Sequence, residues 1–438
     1  MTEAAEKRPA LDLEEQQPDR IPIAGKPLRP AIWALSDQAV VSGGNFLTNI
    51  AIARLTNRDT YGSFALYLAA ILFINSLHSA LVVYPLSIGI PKEALPERQG
   101  AIVTSSLFIT SAGCGILAVG TIPFLSRFAG MQVSVLALCA LFAWQAQETC
   151  RRALMATLNF SSALLGDFVS YPGQAILIYA LARNHHRPTL QTIFACMICT
   201  SFAALAIQLI QIRPSLSIRN FFKTATESWH LGRWVVAGAL LRATSTQGCV
   251  GVLGLRFGAP SVAAWQSIVN IVGLTHPVIF GISNAVVPGV AHINGRSGPR
   301  SASRAGIKMG LHGALFLVPY LLGVLCFPTH ALTLFYGKHS SYLSLGGPLR
   351  LMCCGYLLLY VGSLVSSVLN GMGQPRLSFH GQRISAIVSI AIGLPLAALL
   401  GVPGAAAALL LANGAQATSV VASLERLVRQ GSPSEDAQ

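Results

Sequence analysis

The chain of 438 residues is 53% hydrophobic and only 11% charged, and its mean hydropathy is +0.58. Because soluble domains contain about 25% charged residues, this composition excludes a soluble protein and indicates a membrane protein with several spans. The net charge of +14 does not require a nucleic-acid partner, since basic loops also orient membrane proteins. The nine cysteines lie mainly in apolar segments and predict neither a disulfide framework nor a metal site.

A polar N-terminus precedes a series of apolar segments. Residues 1–30 mix acidic and basic residues with prolines and contain no apolar run, which predicts a disordered cytoplasmic tail rather than a signal peptide. Windows of about 19 residues predict twelve transmembrane helices in the rest of the chain. Their boundaries are 33–53, 63–85, 101–124, 129–147, 167–183, 190–212, 234–255, 262–290, 307–328, 346–369, 380–400 and 402–424.

The predicted fold is an all-α polytopic bundle of two six-helix lobes. The lobes extend over 31–212 and 234–424, with a basic cytoplasmic connector over 213–233 and a cytoplasmic tail over 425–438. Alternate loops on the side of the termini carry more than twice as many lysines and arginines as the loops on the opposite side. This bias predicts that both termini are cytoplasmic.

The two halves resemble each other at corresponding positions. Trp33 opens the first span and Trp234 the seventh, and Arg54 and Arg256 close them. Six spans followed by six in the same orientation form a parallel repeat, which in transporters places a substrate cleft between the halves.

One face of the first span is polar. At helical periodicity this face contains Asp37, Gln38, Ser42, Asn45, Thr48 and Asn49. Lipid cannot satisfy these groups, so the face must meet other helices or line a water-filled cavity. Both interpretations stay open, and Gln38, Asn45 and Asn49 are the candidates for lining a cavity.

The seventh span carries arginine on one face. Arg242 lies too deep to reach the cytoplasmic surface easily, and an arginine inside a span costs about 2.5 to 3.5 kcal/mol on insertion scales, which points to function. Arg54 and Arg256 lie at the outer ends of their spans, where reaching the surface is an equally good explanation. Asp37 is the only carboxylate placed well inside a predicted span. We hypothesise that it pairs with Arg242 at the cytoplasmic mouth, with a local hydrogen bond or helix cap for Asp37 as the alternative.

Ion coupling has three candidate residues. Asp37, His78 and His276 could exchange protons inside the membrane, although a buried histidine can equally be a hydrogen-bonded packing residue. We find no nucleotide-binding loop, catalytic triad or metal-ligand spacing in the sequence. We therefore expect neither an enzyme nor a cofactor.

Three stretches resemble bacterial polysaccharide and O-antigen flippases of the multidrug/oligosaccharidyl-lipid/polysaccharide (MOP) exporter superfamily. They are ALSDQAVVSGGNFLTNIAIARLTNRDTYGSFALYLAAILFINSLHSALVVYPLSI (34–88), QETCRRALMATLNFSSALLGDFVSY (147–171) and LNGMGQPRLSF (369–379). The resemblance implies that the first and seventh spans line a central cavity open to alternate sides of the bacterial cytoplasmic membrane. It implies a substrate oligosaccharide linked to a polyprenyl phosphate or pyrophosphate lipid, used for surface polysaccharide or lipopolysaccharide biosynthesis.

The expected partners are this lipid-linked oligosaccharide, the bilayer, H⁺ or Na⁺ as a coupling ion, and polysaccharide polymerase or export proteins. Arginine residues suit phosphate oxygens independently of the resemblance. One alternative is a cation-coupled multidrug and toxin exporter of the same superfamily, whose site would need intramembrane carboxylates. The other is a polyprenyl-dependent membrane glycosyltransferase or polymerase, which would need a sizeable outer loop with catalytic residues.

Overall fold

The computed structural model describes residues 28–93, 95–184, 187–214 and 221–430, and these ranges are helical almost throughout. The α-helices are α1 (Leu28–Leu55), α2 (Arg58–His78), α3 (Tyr84–Gly89), α4 (Pro96–Ala129), α5 (Met131–Ala156), α6 (Phe160–Asn184), α7 (Leu190–Ile212), α8 (Phe221–Phe257), α9 (Ala259–Gly273), α10 (His276–Cys326), α11 (Pro328–Tyr336), α12 (Gly346–Gly371), α13 (Pro375–Val388), α14 (Leu394–Leu400) and α15 (Val402–Gln430). The all-α prediction is confirmed.

Nine helical segments within these ranges are long and apolar enough to cross a bilayer by length and composition. Helices α1 and α8 are not among them, because their polar residues lower the mean hydropathy. Helix α10 contains two crossings that meet at Gly298, whose φ of 76° interrupts the helix. Adding α1 and α8 to the nine segments, and counting α10 as two crossings, gives the twelve predicted crossings.

Several predicted boundaries differ from the structure. The segment predicted over 262–290 is α9 followed by the start of α10, with a break between Gly273 and His276. The connector is shorter than predicted, because α8 begins at Phe221 and residues 215–220 lie outside the described ranges. Most of the predicted N-terminal tail also lies outside them, and α15 continues to Gln430 in what the sequence predicted as a tail.

Two short π-helical segments interrupt the second and eleventh crossings, at Ser79–Val83 and Ser389–Gly393. A proline follows each segment two residues later, at Pro85 and Pro395. Proline has no N–H to donate, so the backbone hydrogen bonds of the preceding turn shift to a wider spacing. Each interrupted crossing continues as the short helix α3 or α14.

The six crossings of each half pack mainly against one another, and the two halves meet along α2, which contacts α8 and α9. Glycine allows this close approach. Gly62 of α2 lies against the backbone of Ala259, and a Cβ at Gly232 of α8 would be 2.6 Å from the carbonyl oxygen of Ala80. The opposite side of the molecule, where α1 faces α9 and α10, holds the cavity described below.

Two adjacent glycines in α1 allow a test of the packing between α1 and α6. A Cβ at Gly44 would lie 2.6 Å from Cβ of Tyr171 and 2.7 Å from the backbone nitrogen of Pro172, whereas a Cβ at Gly43 would meet nothing within 4 Å. Gly44→Ala should destabilise the protein by about 1–3 kcal/mol through overpacking. Gly43→Ala should be neutral or stabilise by up to about 1 kcal/mol through helix propensity. Thermal unfolding midpoints in detergent measure both, and an equal response of the two variants would contradict this packing.

Candidate functional site

A cavity of about 560 Å³ lies between the two lobes. Its wall combines side-chain amides with aromatic rings. The amides are Gln38, Asn45, Asn49, Gln174, Gln266 and Asn270, and the rings are those of Phe46, Trp144, Tyr171, Phe280 and His276. Among the described residues that line it there is no lysine, arginine, aspartate or glutamate. The cavity is therefore polar but carries no carboxylate or guanidinium charge on its described wall.

The polar face of α1 both lines the cavity and contacts another helix, which are the two interpretations that the sequence left open. Gln38, Ser42, Asn45 and Asn49 line the cavity. On the other side of the same face, Asp37 and Thr48 are buried and α1 packs closely on α6. Gly44 allows this contact. One helix face thus provides both a wall of the cavity and an attachment to the N-terminal lobe.

Asp37 belongs to a buried ionic cluster centred on Arg151 of α5. Nη2 of Arg151 lies 2.6 Å from Oδ2 of Asp37, and Nε lies 2.5 Å from Oδ2 of Asp167 in α6. Nη1 donates to both carboxylate oxygens of Glu148, at 3.0 and 3.2 Å. The side chain of Arg151 is only 5% exposed. One guanidinium thus joins α1, α5 and α6.

The cluster contains one more acid than base. Arg152 adds a second guanidinium, 2.6 Å from Oε1 of Glu148, but its side chain is 43% exposed. Three carboxylates therefore share two guanidinium groups, and Oδ1 of Asp37 is buried without a hydrogen-bond partner among the described residues. A protonated Asp37 or Asp167 would neutralise the cluster.

Two sequence predictions need correction here. The predicted spans 129–147 and 167–183 leave Arg151 in a cytoplasmic loop, but it lies in the last turns of α5 and is buried. Asp37 is not the only intramembrane carboxylate, because Glu148 and Asp167 are also buried inside helices. In this structure Asp37 forms an ion pair with Arg151, and the hypothesised pair of Asp37 with Arg242 stays a hypothesis. Arg242 itself lies in α8, and its side chain lies outside the described part of the chain.

The remaining candidates lie at different places. His276 lines the cavity, and its Nε2 is 3.3 Å from the hydroxyl of Tyr356. His78 is buried inside the N-terminal lobe, where its Nε2 lies 3.0 Å from Thr110 and 3.1 Å from Thr149. This is the arrangement of a packing histidine.

The two outer arginines do not line the cavity in this conformation. Arg256 is exposed at the end of α8. Arg54 donates from Nη2 to the carbonyl of Leu334 at 2.7 Å and from Nε to that of Phe335 at 2.5 Å. It thereby attaches the end of α1 to the last turn of α11.

A cluster of aromatic residues closes the cavity at the end that contains Arg54. Nδ2 of Asn270 donates to the hydroxyl of Tyr61 at 2.7 Å, and the hydroxyl of Tyr336 donates to the carbonyl of Ser267 at 2.8 Å. The rings of Tyr336 and Tyr342 meet edge to face with centroids 5.1 Å apart. The bond between Asn270 and Tyr61 joins the two lobes, so the structure is closed toward the side of Arg54.

Sequence reasoning missed the part of the site that comes from other helices. Gln174 stands alone in an apolar span, whereas Gln266 and Asn270 are spaced at i, i+4 on one face of α9, a signal that the sequence analysis did not use. Glu148 and Arg151 carried a detectable signal, since they are spaced at i, i+3 and lie on the same helix face. Their assignment to a loop hid it.

Comparisons with known proteins relate this fold to membrane transporters. Residues 244–399 match the MatE family model. The chain is similar to the inward-facing conformation of a multidrug resistance MATE family transporter of the MOP superfamily, with a TM-score of 0.75 and 14% identity, covering 92% of this chain and 100% of that one. It is similar to a MOP superfamily transporter from Pyrococcus furiosus, described by the reverse polarity of its binding pocket, with a TM-score of 0.64 and 14% identity over 93% and 96% of the two chains.

The outward-facing conformation of a multidrug resistance MATE family transporter gives a TM-score of 0.61 at 15% identity, over 92% of this chain and 96% of that one. No curated protein matches the chain. The similarities establish the fold, which is the two-lobe arrangement of twelve helices found in MATE transporters. The prediction of two six-helix lobes in a multi-pass membrane protein is confirmed.

Removal of the central guanidinium should destabilise the ionic cluster far more than removal of its exposed neighbour. Arg151→Gln leaves three carboxylates with only Arg152, and breaking a buried pair in this way costs about 3–5 kcal/mol. Arg152→Gln should cost about 0–1 kcal/mol, as for an exposed pair. Thermal unfolding in detergent measures both, and adding Asp167→Asn to Arg151→Gln should recover part of the loss. Equal unfolding midpoints for the two single variants would contradict the cluster.

Proposed function

We propose that the protein is a transporter that moves a lipid-linked oligosaccharide across the bacterial cytoplasmic membrane by alternating access. The carrier would be a polyprenyl phosphate or pyrophosphate, and the glycan would serve surface polysaccharide or lipopolysaccharide biosynthesis. The observation that carries this proposal is the chemistry of the cavity between the lobes.

The described wall of the cavity suits a neutral polyhydroxyl ligand. Amide side chains carry both donors and an acceptor, which match the paired donor and acceptor character of sugar hydroxyl groups, and of the six only Asn270 already uses both its donors on neighbouring described side chains. Trp144 and Tyr171 add flat apolar faces on which a sugar ring can pack. A few convergent polar groups in a mainly apolar pocket are typical of sites that fix a ligand's orientation.

The same wall gives little support to the export of organic cations. Such a ligand would favour a carboxylate facing the cavity, whereas no aspartate or glutamate is among the described residues lining it. The three buried acids lie behind the wall and are bound to Arg151. The transporters named above as multidrug resistance proteins share the fold, and a shared fold does not determine a substrate.

We further propose that protons drive the conformational change, with Asp37 as the acceptor. Among the described residues the cluster carries an excess negative charge that favours uptake of one proton, and Oδ1 of Asp37 has no hydrogen-bond partner there. Protonation would weaken the attraction between α1 and Arg151 and so loosen the helix that lines the cavity. The same helix would thus link proton uptake to substrate movement.

We propose that transport runs from the cytoplasm outward. Closure at the end that contains Arg54, together with the higher TM-score against an inward-facing structure, supports loading from the cytoplasm. Both termini would then be cytoplasmic, as the basic loops predict. On the outer face, polysaccharide polymerase or export proteins would consume the oligosaccharide. Arg242 is the sequence candidate for contact with the carrier phosphate.

A reconstituted assay tests the substrate and the cavity together. Proteoliposomes containing the protein should transfer a fluorescent polyprenyl diphosphate oligosaccharide between leaflets, measured as access of a lectin or glycosidase added outside. Asn45→Ala should lower the rate about two- to tenfold, as expected for the loss of one neutral hydrogen bond. Gln132→Ala removes an exposed amide at the outer end of α5, away from the cavity, and should leave the rate unchanged.

Two results would contradict this proposal. One is a deletion strain with normal surface polysaccharide and increased sensitivity to cationic dyes, which would favour the multidrug exporter. The other is transfer of the lipid-linked oligosaccharide at the protein-free rate.

An imposed proton gradient should accelerate transfer by the unmodified protein and have no effect on transfer by the Asp37→Asn variant.

A further inference from the structure

A second pocket of about 420 Å³ lies at the outer junction of the lobes. Its wall consists of the link between α1 and α2 on one side and the loop after α11 on the other. Four of its residues are basic side chains, namely Arg54, Arg58, Lys338 and His339, and no aspartate or glutamate is among the described residues that line it. Such an uncompensated cluster attracts anions.

The two arginines contact main-chain carbonyls and, in the case of Arg58, the side chain of Tyr342. Arg54 binds the carbonyls of Leu334 and Phe335, which lie in the last turn of α11, where a helix leaves carbonyl groups without intrahelical partners. Neither Arg54 nor Arg58 forms an ion pair within the described residues. Asp59, the nearest acid in the sequence, does not line the pocket.

Arg58 leaves donor capacity unused. Its Nη2 donates to the carbonyl of Ser341 at 2.7 Å, and its guanidinium lies 5.0 Å from the ring centroid of Tyr342. Nε of Arg58 is buried and has no hydrogen-bond partner among the described residues. Burial raises the pKa of the Tyr342 phenol to about 12, so this ring stays neutral beside the guanidinium.

We propose that this outer pocket binds a phosphate or pyrophosphate group, and that binding releases Arg54 from α11 so that the lobes separate on the outer side. An arginine–phosphate pair joins two opposite charges and can form two parallel hydrogen bonds, whereas the present bonds of Arg54 go to neutral carbonyl oxygens. A phosphate oxygen would therefore compete with the carbonyls of Leu334 and Phe335 for Arg54. It would also offer an acceptor to Nε of Arg58.

Separation of the lobes on the outer side would then depend on binding of the anion in this pocket. Asn270 lines the central cavity and its side chain reaches the hydroxyl of Tyr336, which lines the outer pocket. The tyrosine cluster thus connects the walls of the two spaces. The anion could be the diphosphate of a lipid carrier or free phosphate. The proposal that the pocket binds a phosphate group does not rest on the proposed oligosaccharide substrate. The proposal that the lipid carrier supplies this phosphate does rest on it.

The test measures anion binding and the outer distance in the same sample. The full chain in lipid nanodiscs is titrated with inorganic pyrophosphate by calorimetry, and separately reconstituted with a polyprenyl diphosphate. We expect saturable pyrophosphate binding that weakens about tenfold or more in Arg54→Gln and Arg58→Gln. Arg350→Gln is the matched control, because Arg350 also donates to a carbonyl, that of Leu325 at 3.1 Å, but within one lobe and outside the pocket.

The release step is read from spin labels at Asp59→Cys and Ser344→Cys in a cysteine-free background, one on each side of the outer junction and neither lining the pocket. Either anion should lengthen this distance, and a response to the polyprenyl diphosphate alone would identify the carrier as the source. Absence of binding, binding unaffected by Arg54→Gln and Arg58→Gln, or binding without lengthening would overturn the proposal. If an arginine variant fails to fold, Lys338→Gln provides the affinity test, since Lys338 is exposed.

These outcomes are separable from those of the oligosaccharide assay. Transfer of the lipid-linked oligosaccharide without any effect of pyrophosphate would leave the proposed function intact and remove the outer site. Saturable pyrophosphate binding without oligosaccharide transfer would support the outer site and contradict the proposed function.

Discussion

The ion pair between Asp37 and Arg151 is the interaction on which the arrangement of the N-terminal lobe depends. A carboxylate inside a membrane span is costly unless a buried partner compensates it. Arg151 provides this partner at 2.6 Å and binds Glu148 and Asp167 at the same time. The polar first helix can therefore cross the membrane while its remaining amides face the cavity.

The fold separates charge from the described wall of the cavity. The acids and their arginines lie behind it, inside the N-terminal lobe, and the basic residues of the outer junction lie beyond a layer of tyrosines. A ligand in the cavity would meet amides and aromatic rings, while the charges that respond to protons or phosphate act on the helices around it. In the proposed transport cycle, this separation would combine a neutral binding surface with charge-dependent opening at each end.

The fold was largely readable from the sequence, and the site only in part. Apolar windows are a local property, so they predicted all twelve crossings, and helical periodicity placed Gln38, Asn45 and Asn49 on one face. The partner of Asp37 was not predictable in this way, because Arg151 lies 114 positions away and depends on how α1 packs against α5 and α6. The predicted span ended at residue 147, so Arg151 was counted among the cytoplasmic loop charges. Periodicity alone does not show where a buried helix ends.

The orientation and movement of α1 are the central claim of this account, and the accessibility of Asn45 tests them most directly. A cysteine at this position in a cysteine-free background can be treated with a membrane-impermeant maleimide from either side of sealed vesicles. In the resting protein, labelling should occur from the cytoplasmic side and not from the outer side. Supplying the lipid-linked oligosaccharide with a proton gradient should add labelling from the outer side. Labelling from the outer side alone, or from neither side under any condition, would contradict a cavity that opens to alternate faces of the membrane.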